Sequence, residues 1–281
     1  MVNSQLASIS GQKPVSNISI TQAESYATAR GTGWHITNMA AESAQQMLEI
    51  VEFGTMNGQE AFEDGISNIT GTVNVNCSSI TGSTASLGNV TGHATSTINE
   101  RNGTTTTYTT AGQRAISYRG VENPWGNIWR MIGGINIYGN GASYGGAPYI
   151  CTDFNYSTEI TGDNYQFIGF YLPSSYGWIS AMGYSSSEYD WIFLPIECTN
   201  GSSLAPVGDN LWTTSQLRAT NVAAIGGTYD FKDSDGPFYY ACDRSINDSS
   251  RYNYGANLMF IPTKNSIYTS NINKWNTIMG G

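Results

Sequence analysis

Glycine constrains this chain more than any other residue type: 32 of its 281 residues carry no side chain. Glycine loses the most conformational freedom on folding and weakens the interiors of helices and strands. So many glycines favour short strands, turns and long ordered loops over a helical bundle. Two early segments escape this rule. In TQAESYATAR, Thr21 stands three residues before Glu24, the spacing of a capping box, and predicts a helix over 21–30. Asn38 is placed to cap a second helix over 39–53. Ala40, Ala44, Met47, Leu48 and Val51 form one apolar face at helical spacing, and Gly54 stops it.

The rest reads as strand and loop. PVSNISI (14–20), GTGWHITN (31–38), AISYRG, NIWRMIGGINIY, YQFIGFYL, WIFLPIE and NLMFIP are expected strands. Within them the apolar run Trp191–Ile196 suits a central strand. Residues 65–112 are rich in Gly, Ser, Thr and Asn, yet Ile66, Ile69, Val73, Val75, Ile80, Leu87 and Val90 recur as anchors, so ordered loops are expected. The expectation is an α+β fold in one domain over 1–281, with a core of 14–262 and a tail of 263–281.

A net charge of -9 leaves no cationic face for phosphates, which argues against a nucleic-acid partner. No apolar stretch is long enough to span a bilayer, so no membrane insertion is expected. The start, MVNSQLASISGQKP, lacks the pattern of a signal peptide, which implies synthesis in the cytosol. The four cysteines, 77, 151, 198 and 242, are too scattered for a zinc motif. They read as small core residues, with Cys242 a candidate exposed exception. His35 and His93 have no evident catalytic partner and read as structural. No metal and no cofactor are expected.

The candidate binding residues lie between Thr228 and Tyr254, where 27 residues hold five Tyr, five Asp, four Ser and two Asn. Tyrosine gives large amphipathic contact area at small entropic cost, and aromatic and arginine side chains dominate binding hot spots. The candidates are Tyr229, Asp230, Phe231, Asp233, Asp235, Phe238, Tyr239, Tyr240, Asp243, Arg244, Asn247, Asp248, Arg251, Tyr252, Asn253 and Tyr254. Their aromatic rings are expected to be exposed, supported from beneath by an apolar strand, Leu258 to Ile261.

YRGVENPWGNIWRMIGGINI (118–137), with Gly126-Asn127-Ile128-Trp129 at its centre, resembles a recurring segment of C-type-lectin-fold proteins of the formylglycine-generating-enzyme-like branch. The Gly31-Thr32-Gly33-Trp34-His35 opening between two helices, SLGNVTGHAT (86–95) and the block 226–261 resemble the same proteins in the same order. The resemblance implies a C-type-lectin-like fold. It also implies recognition of a host-surface protein or glycan by a phage tail-associated or retroelement-diversified protein, found on a virion or cell surface. Other virion or tail proteins are further partners it suggests. Adenine-directed mutagenesis of asparagine codons yields residues such as Tyr229, Asp230, Phe231, Asp233, Tyr239, Tyr240, Cys242, Asp243, Asn247, Asp248, Tyr252 and Asn253, which fits diversification. Trp125 and Trp129 read as core anchors rather than site residues.

Three alternatives stand beside this reading. One is a non-diversified structural or decoration protein of a virion. Another is the family's copper-dependent cysteine oxidase, whose local two-cysteine motif is missing here, since Cys198 and Cys242 lie 44 residues apart. The last is a glycan-cleaving enzyme, which needs two opposed carboxylates; Glu188, Asp190 and Glu197 are the nearest candidates. Glu122-Asn123-Pro124 resembles a lectin calcium motif in altered order and reads as a turn. The expectation is that the protein is not an enzyme.

Overall fold

Ser19, not Thr21, starts the first helix of the computed structural model. Its hydroxyl accepts from the Gln22 N–H while the Gln22 side chain accepts from the Ser19 N–H. This reciprocal box satisfies two donors at the helix start, so α1 runs Ile20–Thr28 and the strand expected at 14–20 does not form. Glu24, not needed as a cap, accepts from the Ile36 N–H and pairs with His35 at 2.6 Å. The second helix, α2, spans Met39–Phe53 between the Asn38 cap and Gly54 in the left-handed region, as the sequence predicts. A single turn, α3, follows at Gly58–Ala61. The structure describes residues 2–262 apart from 71–73, 75, 100–103, 142–144, 152, 154–155, 157–163, 184, 186–187 and 215–216. Val73, Val75 and the tail at 263–281 therefore lie outside the described residues.

The rest of the described chain is mostly sheet, giving an α+β protein. Among the described residues, nine strands form the main sheet. In spatial order they are Leu194–Thr199, Gly177–Gly183, Asn210–Trp212, Tyr240–Ser245, Leu217–Ile225, Trp129–Asn140, Ala147–Cys151 and Tyr165–Phe167, with Tyr254–Gly255 paired alongside Trp129. All pairings are antiparallel except Asn210–Trp212 with Tyr240–Ser245, and Tyr254–Gly255 with Trp129–Arg130.

Both faces of this sheet are covered. One packs Ile135, Ile137, Ile179, Ile225, Phe238, Tyr240 and Cys242 with Met39 of α2. The other packs Trp129, Met131, Val222, Ala224, Tyr239 and Ala241 against Ile20, Ala23 and Ala27 of α1. Side chains alternate along a strand, so Ala223 and Ile225 join the first layer while Val222 and Ala224 join the second. A third cluster, including Ile66, Ile69, Cys77, Ile98, Ile128 and Tyr229, holds part of the 65–112 segment in place. Val90, an expected anchor there, is 64 % exposed.

Trp191–Ile196 is not a central strand. The strand there is Leu194–Thr199, and it lies at the sheet edge. Pro195 has no N–H to give a second neighbour, which suits an edge position. Leu258–Phe260 pairs with Trp34–Ile36 in a separate two-stranded sheet, and Leu258 packs against the layer of Trp129, Tyr239 and Tyr254.

Candidate functional site

The fold divides the candidate residues into two groups. Tyr229, Asp235, Phe238, Tyr239, Tyr240 and Tyr254 are buried, which corrects the expectation that this block presents its aromatic rings to solvent. The reason is the two-faced sheet: Tyr239 and Tyr240 are consecutive, point to opposite sides, and meet a packed layer on each. Asp230, Phe231, Asp233, Asp243, Arg244, Asn247, Asp248, Arg251, Tyr252 and Asn253 remain exposed or half-buried at the surface.

Two buried carboxyl groups fix the path of the segment beneath that surface. Asp235 Oδ1 accepts from the Thr228 N–H at 3.2 Å, and Asp209 Oδ2 accepts from the Phe238 N–H at 2.6 Å. The second oxygen of each has no hydrogen-bond partner. Burial holds both groups well above the usual carboxylate range. Outward from this base, the Ile69 N–H donates to Tyr229 O, and the Lys232 N–H to Ser67 O. The Trp129 N–H donates to Asn253 O.

An aromatic ladder leads from the core to solvent. Trp129, 2 % exposed, meets Tyr239 edge-on at 4.6 Å and Phe231 at 6.1 Å. Phe231 lies 6.3 Å from Trp212, which stacks on Tyr176 at 5.4 Å with an interplanar angle of 20°. The Trp212 indole N–H donates to the Tyr239 hydroxyl, tying the outer rungs to the buried one. Tyr176 is 66 % exposed and Trp212 38 %. Sequence reasoning missed both, because they come from other parts of the chain. Trp212 faces Ala241 across a strand pair, and Gly177, next to Tyr176, faces Leu211.

Charges flank the ladder. Arg244 pairs with Asp243 at 3.2 Å and Arg251 with Asp248 at 3.1 Å. Burial raises Asp243, with Arg244 opposing. Burial also pushes Asp248 upward, but the Ser250 hydroxyl, the Ser250 N–H and Arg251 together hold it below its ordinary value. Arg244 Nε is a buried donor without a hydrogen-bond partner. The surface thus combines flat aromatic area with oriented donors and acceptors. It has no nucleophile–base pair among the described residues named here.

Other sequence candidates have structural roles. Gly126 and Asn127 both take left-handed backbone angles, and Asn127 Oδ1 accepts from the Ser79 N–H. A side chain at Gly126 would strike Ile66 O. Trp125 is fully buried and donates to Glu63 O. The Glu122 carboxylate accepts from the Gly82 N–H and from the N–H and hydroxyl of Thr84, while Asn123 Oδ1 accepts from the Ile116 N–H. Glu122 and Asn123 both line a cavity of about 1060 Å³ under the N-terminal segment, which includes no residue of the 229–254 block. With Glu122 and Arg130 already bonded within the fold, that cavity is weaker as a site than the aromatic ladder.

No protein-family model matches the chain, and no curated protein matches it. Glu188, Asp190 and Glu197 are exposed. Cys242 is completely buried, contrary to the exposed role considered for it, and its thiol is raised by burial. Burial pushes Cys198 up to about 12. Among the described residues, no group of three His, Cys, Asp or Glu is arranged to hold a metal ion. No helix among them is long and apolar enough to cross a membrane.

Proposed function

We propose that this chain is a ligand-recognition protein with a C-type-lectin-like fold of the formylglycine-generating-enzyme-like branch. It binds a host-surface protein or glycan as part of a phage tail-associated or retroelement-diversified system. The observation that carries the binding role is the exposed Tyr176–Trp212 stack, joined through Phe231 to the buried Trp129 and Tyr239. Exposed aromatic rings held by a rigid base lose little side-chain freedom on binding, the property that makes tyrosine and tryptophan common at hot spots. The half-buried arginines ion-paired to Asp243 and Asp248 supply directional contacts. The binding surface is therefore redrawn as Tyr176, Trp212, Phe231, Arg244, Asp248, Arg251 and Tyr252. The proposal includes no catalytic step.

The test is adsorption to host cells, or capture from host-surface extract, with thermal melting of each variant. Tyr176→Ala and Tyr252→Ala are expected to melt like wild type, because exposed substitutions usually change stability by within ~0.5 kcal/mol. Each is expected to weaken binding by about 2 kcal/mol, the level of a hot spot. Variants that bind as wild type would remove this surface from the reading. Turnover of a cysteine peptide with copper, or cleavage of polysaccharide, would replace it with an enzyme.

A further inference from the structure

Helix α2 turns its apolar stripe away from the protein. Ala40, Ala44, Leu48 and Val51 are exposed, Leu48 to 45 % and Val51 to 84 %. The inward side carries Glu42, Ser43, Gln46 and Glu49 beside Met39, with Ile50 partly packed on the core. A helix on a globular protein normally has the reverse arrangement. The inversion is held by polar partners in the sheet: Arg130 forks onto both Glu42 oxygens at 2.7 and 2.9 Å, and Gln46 donates to Pro237 O and the Tyr240 hydroxyl.

We infer that this outer face is a self-association surface, through which two copies of the chain pack their α2 helices antiparallel. Size complementarity favours a second copy. The N-terminal half of the stripe is small, Ala40 and Ala44, and the C-terminal half is large, Leu48 and Val51. A two-fold axis across the middle of the helix sets Leu48 over the partner's Ala44 and Val51 over the partner's Ala40. Each large side chain then fills the space left by a small one, and the same patch serves both copies, as an isologous interface requires. Parallel packing would instead oppose alanine to alanine and leave gaps. The antiparallel arrangement also opposes the two helix dipoles favourably.

Charge points the same way. Two copies each carrying a net charge of -9 repel, so they meet best where no carboxylate faces outward. The stripe contains none; Glu52 at its border is held by Tyr118 and Arg119. A helix of this length extends roughly 22 Å, and its stripe alone buries less than the ~800 Å² per partner of a standard interface. The association is therefore weak and concentration-dependent.

Sedimentation equilibrium over a concentration series tests this, with circular dichroism and melting to confirm folding. Wild type is expected to show a reversible monomer–dimer equilibrium. Val51→Lys and Ala40→Glu, both at exposed positions, are expected to keep the wild-type melt while each weakens self-association at least ~10-fold, or ~1.4 kcal/mol. Mixing the two variants in equal amounts is expected to restore a dimer. The introduced lysine then faces the introduced glutamate on one side of the axis, and the wild-type pair meets on the other. A wild type that stays monomeric up to its solubility limit would overturn the inference. Variants that dimerise as wild type does, or a mixture that stays monomeric, would overturn it too.

Discussion

Tyr239 and Tyr240 differ from Tyr252 only in where the sheet places them, and that placement reverses the expected effect of mutation. Tyr239 and Tyr240 are about as buried as Trp129, while Tyr252 is 38 % exposed. Tyr239→Ala, Tyr240→Ala and Trp129→Ala are each expected to cost roughly 3–5 kcal/mol, the range for emptying a buried aromatic site. Urea unfolding reads this directly; a Tyr240→Ala protein as stable as wild type would contradict its burial. Glu49 provides a second residue-level case. Burial pushes its carboxyl from 4.5 up to about 8, with the Gln45 side chain opposing. As pH rises through that window the unfolded chain gives up a proton that the folded chain keeps, so stability falls, by at most ~1.4 kcal/mol per pH unit. Asp209 and Asp235, also raised, act in the same direction from their ordinary value upward. Stability is expected to decline between pH 5 and 8 (~3 pH units), and Glu49→Gln is expected to flatten the decline. A wild type whose stability rises over this range would refute the assignment.

At the scale of elements, α2 shows that sequence periodicity locates a helix better than it orients one. Its bounds and caps follow from Asn38 and Gly54, but the side that faces the core is chosen by Arg130 and Tyr240 on the sheet. Arg130 is 4 % exposed and also donates to Pro124 O. Glu42→Ala is expected to destabilise by about 3–5 kcal/mol, because it leaves a buried guanidinium without its counter-charge. Adding Arg130→Met should recover much of that loss, since removing both partners removes the unpaired charge as well. A double variant no more stable than Glu42→Ala would count against this account. The N-terminal helix makes the complementary point. Ser19–Gln22 and Thr21–Glu24 both offer capping spacing, and the bonds from Glu24 to His35 and Ile36 accompany the choice of the earlier pair.

On the scale of the whole molecule, the main sheet is sealed on both faces, and its central strands are reached only by general unfolding. Cys242 lies in one of these strands and Cys198 in the edge strand. Cys198 is expected to react with a thiol reagent through local opening, while Cys242 reacts only at the rate set by global unfolding. Equal rates at the two sites, resolved by peptide mapping, would show that the sheet opens locally at its centre. The same rigidity suits the proposed binding surface. The Tyr176–Trp212 stack is held by strand pairing at Gly177 and Trp212 and by the indole bond to Tyr239, so its geometry is set before a ligand arrives.

The sequence alone determined those features that depend on near neighbours. Asn38 and Gly54 delimited α2, and the glycine content with short apolar runs indicated an α+β protein with several strands in place. Part of the candidate surface was legible as well, since Phe231, Arg244, Arg251 and Tyr252 do lie at or near solvent. What only the tertiary structure decided was which side of each element meets another. A run such as Phe238-Tyr239-Tyr240 reads alike as an exposed aromatic loop or as a strand covered on both faces. Only the layers formed by α1 and α2 distinguish the two. For the same reason Tyr176 and Trp212 had no signal of their own: they become neighbours through strand pairing between segments far apart in the chain. The outward stripe of α2 likewise depends on a charged partner, Arg130, that lies 88 residues from Glu42 in sequence.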